Sequence, residues 1–260
     1  MMFDVRTADL AKLNSLTKYP SILTYHVMGD KGILQDEVQI PFTGRVVGTE
    51  KVDGTNARII CCPDGGIIVG SREDLLWERR DLIGNPAMSI VETLKPVIEE
   101  RKDLLCRPDS IVVYYLEVYG RNIGAGAKNY SRHGRAGGRL FDVAVLENVD
   151  ELFRRSAESL AQWRDAGGQP FAVVEQTAAE AQRLGFEPVP PLFDFDASLL
   201  PTELEATNEF LLSFGSTRCK LDDDATGVPE GVVVRTPDRR QIAKIRREDY
   251  ERTLKRRTNR

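Results

Sequence analysis

Long apolar runs are missing from this 260-residue chain: none approaches the roughly 18 residues that span a bilayer, so no membrane protein is read from it. A secretion signal is missing too, because the opening MMFDVRTADL carries Asp4 and Asp9 and no continuous apolar core. Histidine is scarce, with two residues, and the four cysteines (Cys61, Cys62, Cys106, Cys219) lack CxxC spacing. That argues against a structural zinc site and for a reduced, cytoplasmic setting. No repeat, low-complexity tract or Pro/Gly/Ser linker divides the chain, so one domain over residues 1–260 is expected, with 1–42 as an extension packed on its core. Nor is there a global excess of positive charge: at −4 the molecule is not a polycation that coats nucleic acid non-specifically.

What charge there is lies unevenly. No acidic residue falls between 118 and 141, whereas Arg121, Lys128, Arg132, Arg135 and Arg139 do. Residues 246–260 hold seven Lys/Arg against three Asp/Glu, a local +4 that leaves −8 on the remainder. Basic patches on an acidic body suggest a polyanion bound at a defined place; on charge alone, two solvated segments are the alternative.

The first half reads mostly as strands: 43–51 (TGRVVGTEK) and 56–62 (NARIICC) around the turn Val52-Asp53-Gly54-Thr55, then 67–71 as the third member of a meander. Residues 87–101 repeat apolar positions at a helical period, with Pro96 set to kink them. Strands follow at 110–119 and 138–147, helices at 150–165 and 201–214, a hairpin at 230–236 and 241–245, and a helix at 247–257. Strands that pair as hairpins predict an α+β fold with antiparallel sheets and flanking helices.

The sharpest feature is Lys51-Val52-Asp53-Gly54-Thr55-Asn56. A lysine at a strand end before a tight turn is held rigidly and partly desolvated, as a lysine nucleophile must be. With an ordinary pKa near ~10.4, about one lysine in two thousand is neutral at pH 7, so nearby positive charge or burial is needed. Taken alone, K-x-D-G is a weak match and could be a surface lysine beside a hairpin. Four further segments accompany it in order: Ser71-Arg72, Glu117 closing the strand before Gly120, Glu230-Gly231-Val232-Val233-Val234-Arg235, and Ala243-Lys244-Ile245-Arg246. Lys244 and Arg246 alternate along a strand and so share a face. The glycine-rich basic segment 120–139 reads as a mobile loop that closes on phosphates, with His133 a solvated loop residue.

In that order and spacing these segments resemble the motif set of the covalent nucleotidyltransferases, the superfamily of polynucleotide ligases and capping enzymes. The Asp53-Gly54-Thr55-Asn56 tail and the KIRREDY run at 244–250 look most like ATP-dependent RNA ligases of the phage RNA ligase 2-like group. The resemblance covers about residues 43–250 and implies an adenylation domain using ATP and Mg²⁺ or Mn²⁺. Lys51 would be the nucleophile that forms a lysyl–AMP, with Lys244 and Arg246 beside it. Glu50, Asn56, Arg72, Glu117, Phe141, Glu230 and Lys244 would bind the nucleotide, Phe141 by stacking on adenine. Glu230 and Glu117 would serve the metal. Arg121, Lys128, Arg132, Arg135 and Arg139 would contact RNA.

Each role has a plainer counterpart. By periodicity Phe141 is a core residue, the glutamates are exposed strand ends, and the basic strand discourages edge pairing. Only ten residues follow Tyr250 and about fifty precede Lys51, so no OB domain is expected, and a partner protein would supply the appended module. The reaction implied is joining of RNA 5′-phosphate and 3′-hydroxyl ends. Another nucleotidyltransferase (a DNA ligase or GTP-using capping type) and a non-catalytic RNA-binding relic are the alternatives.

Overall fold

The computed structural model describes residues 3–78, 81–82 and 89–258. The chain opens with helix α1 (Leu10–Thr17) and strands β1 (His26–Met28), β2 (Leu34–Val38), β3 (Arg45–Lys51), β4 (Thr55–Cys61), β5 (Ile67–Ser71), β6 (Leu75–Glu78) and β7 (Asp81–Leu82). Helix α2 (Ile90–Leu105), strand β8 (Ile111–Gly120), the short helix α3 (Ala127–Tyr130) and strand β9 (Ala136–Leu146) follow. Helices α4 (Val149–Arg154), α5 (Ala157–Asp165) and α6 (Val174–Leu184) lead to β10 (Pro191–Asp196), α7 (Leu204–Leu212), β11 (Gly231–Arg235), β12 (Ile242–Arg246) and α8 (Arg247–Thr258). These elements form two compact units, each built from separate stretches of chain. Among the described residues, no helix is long and apolar enough to cross a membrane.

Unit 1 comprises residues 1–20, 54–124 and 136–188. Its antiparallel sheet runs in the order β7-β6-β5-β4-β8-β9 and is covered on both faces. Val112, Tyr114, Leu116 and Val118 of β8 join a cluster with Leu94 and Ile98 of α2 and Leu184 of α6. Ile111, Val113 and Tyr115 point to a second cluster holding Leu13 and Leu16 of α1 and Leu160 of α5. Two-sided burial explains why β8 reads as a continuous apolar run rather than an alternation. Each such side chain contributes about 1.5–3 kcal/mol by leaving water.

Unit 2 comprises residues 21–53, 125–135 and 189–260. Its four-stranded sheet has the order β10-β3-β11-β12, with the β1-β2 ribbon beside it in sequence. Val46, Val232, Val234, Ala243 and Ile245 pack with Leu204 and Leu211 of α7 and Tyr250 of α8. The outer edge of β12 is occupied by residues 23–25, whose backbone exchanges hydrogen bonds with Lys244, so β12 is not the bare edge its charge suggested.

The strand pairing and helix bounds expected from the sequence are corrected. Strands β3 and β4 are not hairpin partners: β3 pairs with β10 and β11, β4 with β5 and β8, and the meander is β4-β5-β6. Gly54 is required at the crossing because a Cβ there would run into the Val118 carbonyl. The helix over 150–165 is two, since the Ser156 side chain caps α5 by accepting the Ser159 N–H. Helix α2 continues through Pro96 to Leu105, and the expected helix start at 87–88 lies outside the described residues. The N-terminal stretch is shared: α1 belongs to unit 1, while Tyr25 and Leu34 belong to the core of unit 2.

Candidate active site

In unit 2, strand register sets the chemistry. Lys51 ends β3 directly opposite Gly231 of β11, which is itself opposite Arg246 of β12. One step along, Thr49, Val233 and Lys244 form the next row. Directly opposed residues share a face, so Lys51, Lys244 and Arg246 lie on the side away from the core. Gly231 keeps the row open, and a Cβ there would meet the Ile245 carbonyl.

Lys51 Nζ donates to Glu230 Oε2 at 2.5 Å, with the two side chains 24% and 19% exposed. The Glu230 backbone is fixed as well, since its carbonyl accepts the Arg247 N–H at the start of α8. Burial pushes the Glu230 carboxyl above its ordinary range; Lys51 and Arg246 oppose the rise, and the charge of Asp53 adds to it. Lys51 therefore meets a carboxylate where positive charge was expected. Arg246, assigned to lower the Lys51 pKa, turns its fork onto Asp249 at 2.8 and 3.0 Å, with Glu248 at 3.2 Å. Asp249 stands three residues ahead in the first turn of α8 and is buried, so it neutralises much of that cation.

Two residues beside Lys51 are held by contacts of their own. Glu50 points to the core face, 1% exposed, where it accepts from the Thr217 hydroxyl and from the Arg218 N–H at 2.8 Å. Its carboxylate is thereby committed to the 217–219 segment. The Asp53 N–H donates to the hydroxyl of Tyr130, a fully buried side chain of α3, at 2.7 Å. Tyr130 fixes the turn behind Lys51, and no sequence motif signalled it; Asp53 was visible in K-x-D-G but was given no role.

In unit 1, Asn56, Glu117 and Arg139 form one row across β4, β8 and β9. The Asn56 Oδ1 is buried and accepts no hydrogen bond. Phe141 sits at a bulge, because Tyr115 opposes Asp142 while Leu116 opposes Leu140. Half-buried, it packs against Tyr19 at 5.0 Å and Tyr115 at 6.3 Å. Arg72 is exposed after β5, with its Nε 3.6 Å from Glu73.

The basic segment 120–139 is not an open mobile loop. It contains α3 and is tied down by Asp222, whose Oδ2 accepts from the Ser131 hydroxyl and the Arg132 and His133 N–H groups at 2.7–2.9 Å. Burial works against that carboxylate, but these donors outweigh it and hold its pKa below the usual range. Its five cations divide between the units. Arg121 pairs with Glu92 at 2.7 Å. Arg139 is 15% exposed and bonded to Tyr119, the Pro188 carbonyl and Glu187, so it ties unit 1 together rather than offering a free charge. Lys128, Arg132 and Arg135 of unit 2 are exposed, as is Arg121 of unit 1.

Glu230, a half-buried carboxylate with Asp53 as electrostatic neighbour, is an oxygen donor set suited to Mg²⁺ or Mn²⁺. Glu117, also assigned to the metal, belongs to unit 1.

The RNA ligase family model matches residues 44–255. Similar solved structures include a variant of the Naegleria gruberi RNA ligase with ATP and Mn (16% identical, TM-score 0.57, covering 93% of this chain and 65% of that one). The Naegleria gruberi RNA ligase with PPi is 16% identical, with a TM-score of 0.54 over 94% of this chain and 63% of that one. An archaeal ATP-dependent RNA ligase is 19% identical, with a TM-score of 0.52 over 90% and 49%. The chain thus spans less than two thirds of the length of these structures, and at such identities the likeness is one of fold. No curated protein matches it in sequence.

Proposed function

Because the chain belongs to the RNA ligase family, we propose that it is an ATP-dependent RNA ligase joining 5′-phosphate to 3′-hydroxyl ends. The observation that carries this is Lys51, at a strand end, 2.5 Å from Glu230 on the sheet face that also holds Lys244 and Arg246. Lys51 Nζ attacks the α-phosphorus of ATP, pyrophosphate leaves, and lysyl–AMP results. The AMP passes to the RNA 5′-phosphate, and the 3′-hydroxyl of the second end then displaces it.

Attack requires an unprotonated amine, and the ion pair with Glu230 favours the ammonium, so this contact must open first. Mg²⁺ or Mn²⁺ held by Glu230 would supply positive charge to the phosphate oxygens and compete with Lys51 for the carboxylate. Lys244 gives a cation to the triphosphate, and Arg246 gives another by sharing its fork with Asp249. In unit 1, Asn56 Oδ1 and the Glu117 carboxylate accept from donors of the nucleoside, and Phe141 stacks on its base. The partnerless Oδ1 supports this, since a buried acceptor left bare costs stability until a ligand fills it. Arg72 contacts ribose or the RNA 5′-phosphate. Glu50 and Tyr130 act as positioning residues. RNA reaches Lys128, Arg132 and Arg135.

The test is joining of 5′-phosphorylated RNA in Mg²⁺ with ATP, GTP or NAD⁺ as sole nucleotide. Joined product with ATP alone is expected. Joining that needs GTP or NAD⁺ would place the chain with other nucleotidyltransferases, and no joining together with no nucleotide adduct would leave an RNA-binding relic.

A further inference from the structure

The sequence offers two histidines, and one of them stands in a cluster that the ligase reading does not use. We propose that His133, Asp222 and Asp224 form a binding site for a divalent transition-metal cation, separate from Glu230 and lying wholly within unit 2. One ligand atom from each residue lies within 4.8 Å of the others. His133 Nε2 is 3.4 Å from Asp224 Oδ1.

The second observation concerns Asp222. Its side chain is 2% exposed and its Oδ2 is filled by three donors, yet Oδ1 accepts no hydrogen bond. The Arg135 Nε stands 3.2 Å from that oxygen as an ion pair without hydrogen-bond geometry, and its largely exposed side chain also donates from Nη1 to the Leu221 carbonyl at 3.1 Å. A buried carboxylate oxygen without an acceptor role is unusual, because burying it costs free energy that a partner would offset. A metal cation would take that oxygen in place of Arg135, which meets it without a hydrogen bond, and would also sit between the Asp222 and Asp224 carboxylates.

Ligand type selects the ion. One imidazole with two carboxylates suits Mn²⁺, Co²⁺ or Zn²⁺, whereas Mg²⁺ and Ca²⁺ prefer oxygen alone. Exposure of His133 and Asp224 leaves the remaining positions to water. The ion would clip the 131–135 segment to the 222–224 turn and fix the backbone that carries Arg132 and Arg135. No Cys or CxxC is involved, which is why cysteine spacing gave no sign of it.

The test is calorimetric titration of the nucleotide-free full chain with Zn²⁺, with Co²⁺ absorption as a second readout. One binding event is expected, retained in Glu230→Gln and weakened ~10-fold or more in His133→Ala and in Asp224→Asn. Both of those positions are exposed, so the metal-free melting temperature of each variant should equal that of the unaltered chain. Zn²⁺ at 100 times its dissociation constant should raise the melting temperature by roughly 5 °C or more in the unaltered chain and in neither variant. Binding that vanishes in Glu230→Gln and persists in the other two would assign the ion to the catalytic carboxylate and overturn the proposal. No Zn²⁺ or Co²⁺ binding by the unaltered chain would overturn it as well.

Discussion

The two sheets of this protein use the same antiparallel pairing for opposite ends. The six-stranded sheet of unit 1 buries both faces, and β8 is buried at nine of its ten positions, Glu117 being the exception. The four-stranded sheet of unit 2 buries one face and lines the other with Lys51, Lys244 and Arg246, so β12 alternates between half-buried and buried residues. A sheet with two apolar faces carries few charges along its strands and buries them against partners, Arg58 on the Asn14 carbonyl and the Thr17 hydroxyl and Asp142 on the Tyr19 hydroxyl, while Asn56, Glu117 and Arg139 form a row near the start of β4. A sheet with one free face can carry a row of charges across three strands, provided each is answered. Glu230 answers Lys51, and Asp249 answers Arg246. Stability is thus concentrated in one sheet and reactive charge in the other.

That contrast can be broken by substitution. The largest effect is expected at Lys51→Ala, which should abolish nucleotide adduct formation while leaving the melting temperature within a few degrees, as mass spectrometry and a thermal scan would read. Its counterpart in unit 1 is Ile59→Ala, which should cost about 2–5 kcal/mol in chemical denaturation, because Ile59 is fully buried between strands and α2. If Lys51→Ala unfolds the chain, or Ile59→Ala leaves its stability unchanged, the division fails. Glu230→Gln comes next. It keeps the shape but loses the charge, and should slow adenylylation by roughly 100-fold with a changed metal dependence, measured in single turnover.

A smaller effect concerns pH. His26 is fully buried: its Nε2 donates to the Thr202 carbonyl at 2.8 Å, and its Nδ1 lies 2.7 Å from the Tyr250 hydroxyl, which donates to it when the ring is neutral. Burial lowers its pKa, while the Thr202 carbonyl and the charges of Asp36 and Glu203 oppose the change. The unfolded chain then binds a proton before the folded one does. Stability from this residue is complete above the ordinary imidazole pKa of about 6.5 and declines as pH falls below it. Urea titrations at pH 7.5 and 5.5 should show that loss, and His26→Gln should flatten it. Smallest is the RNA contact: neutralising Lys128, Arg132 and Arg135 together should reduce the slope of log affinity against log salt by up to about 0.7 per lost phosphate contact. An unchanged slope would remove the 125–135 segment from the RNA interface.

The faces of unit 2 were legible, because alternation in 241–246 assigns Lys244 and Arg246 to one side without any structure. The crossing at Gly54 was not, since a short turn between two β-rich runs looks the same whether the strands pair or part. Helix α6 is not among the expected elements, although 174–184 carries a helical apolar period and ends on Gly185 in the left-handed region, and the apolar pattern over 150–165 runs on past the Ser156 cap that separates α4 from α5. Strand β10 (PLFDFD) was missed because it is short and bounded by proline. At the candidate site, Lys51 and Glu230 were found by motif. Their ion pair and the Tyr130 contact behind Asp53 join residues far apart in the chain, which no local pattern encodes, whereas the Asp249 partner of Arg246 lies only three residues on, at helical spacing. Glycine content suggested mobility for 120–139, whereas one buried aspartate ninety residues away fixes it.

The central claim is that Lys51 is the nucleophile, and peptide mapping of the chain after incubation with ATP and Mg²⁺ tests it most directly. The account predicts a single AMP, absent when ATP is omitted, on the peptide containing Lys51. An AMP located on any other residue, or a folded chain that takes up none, would contradict it.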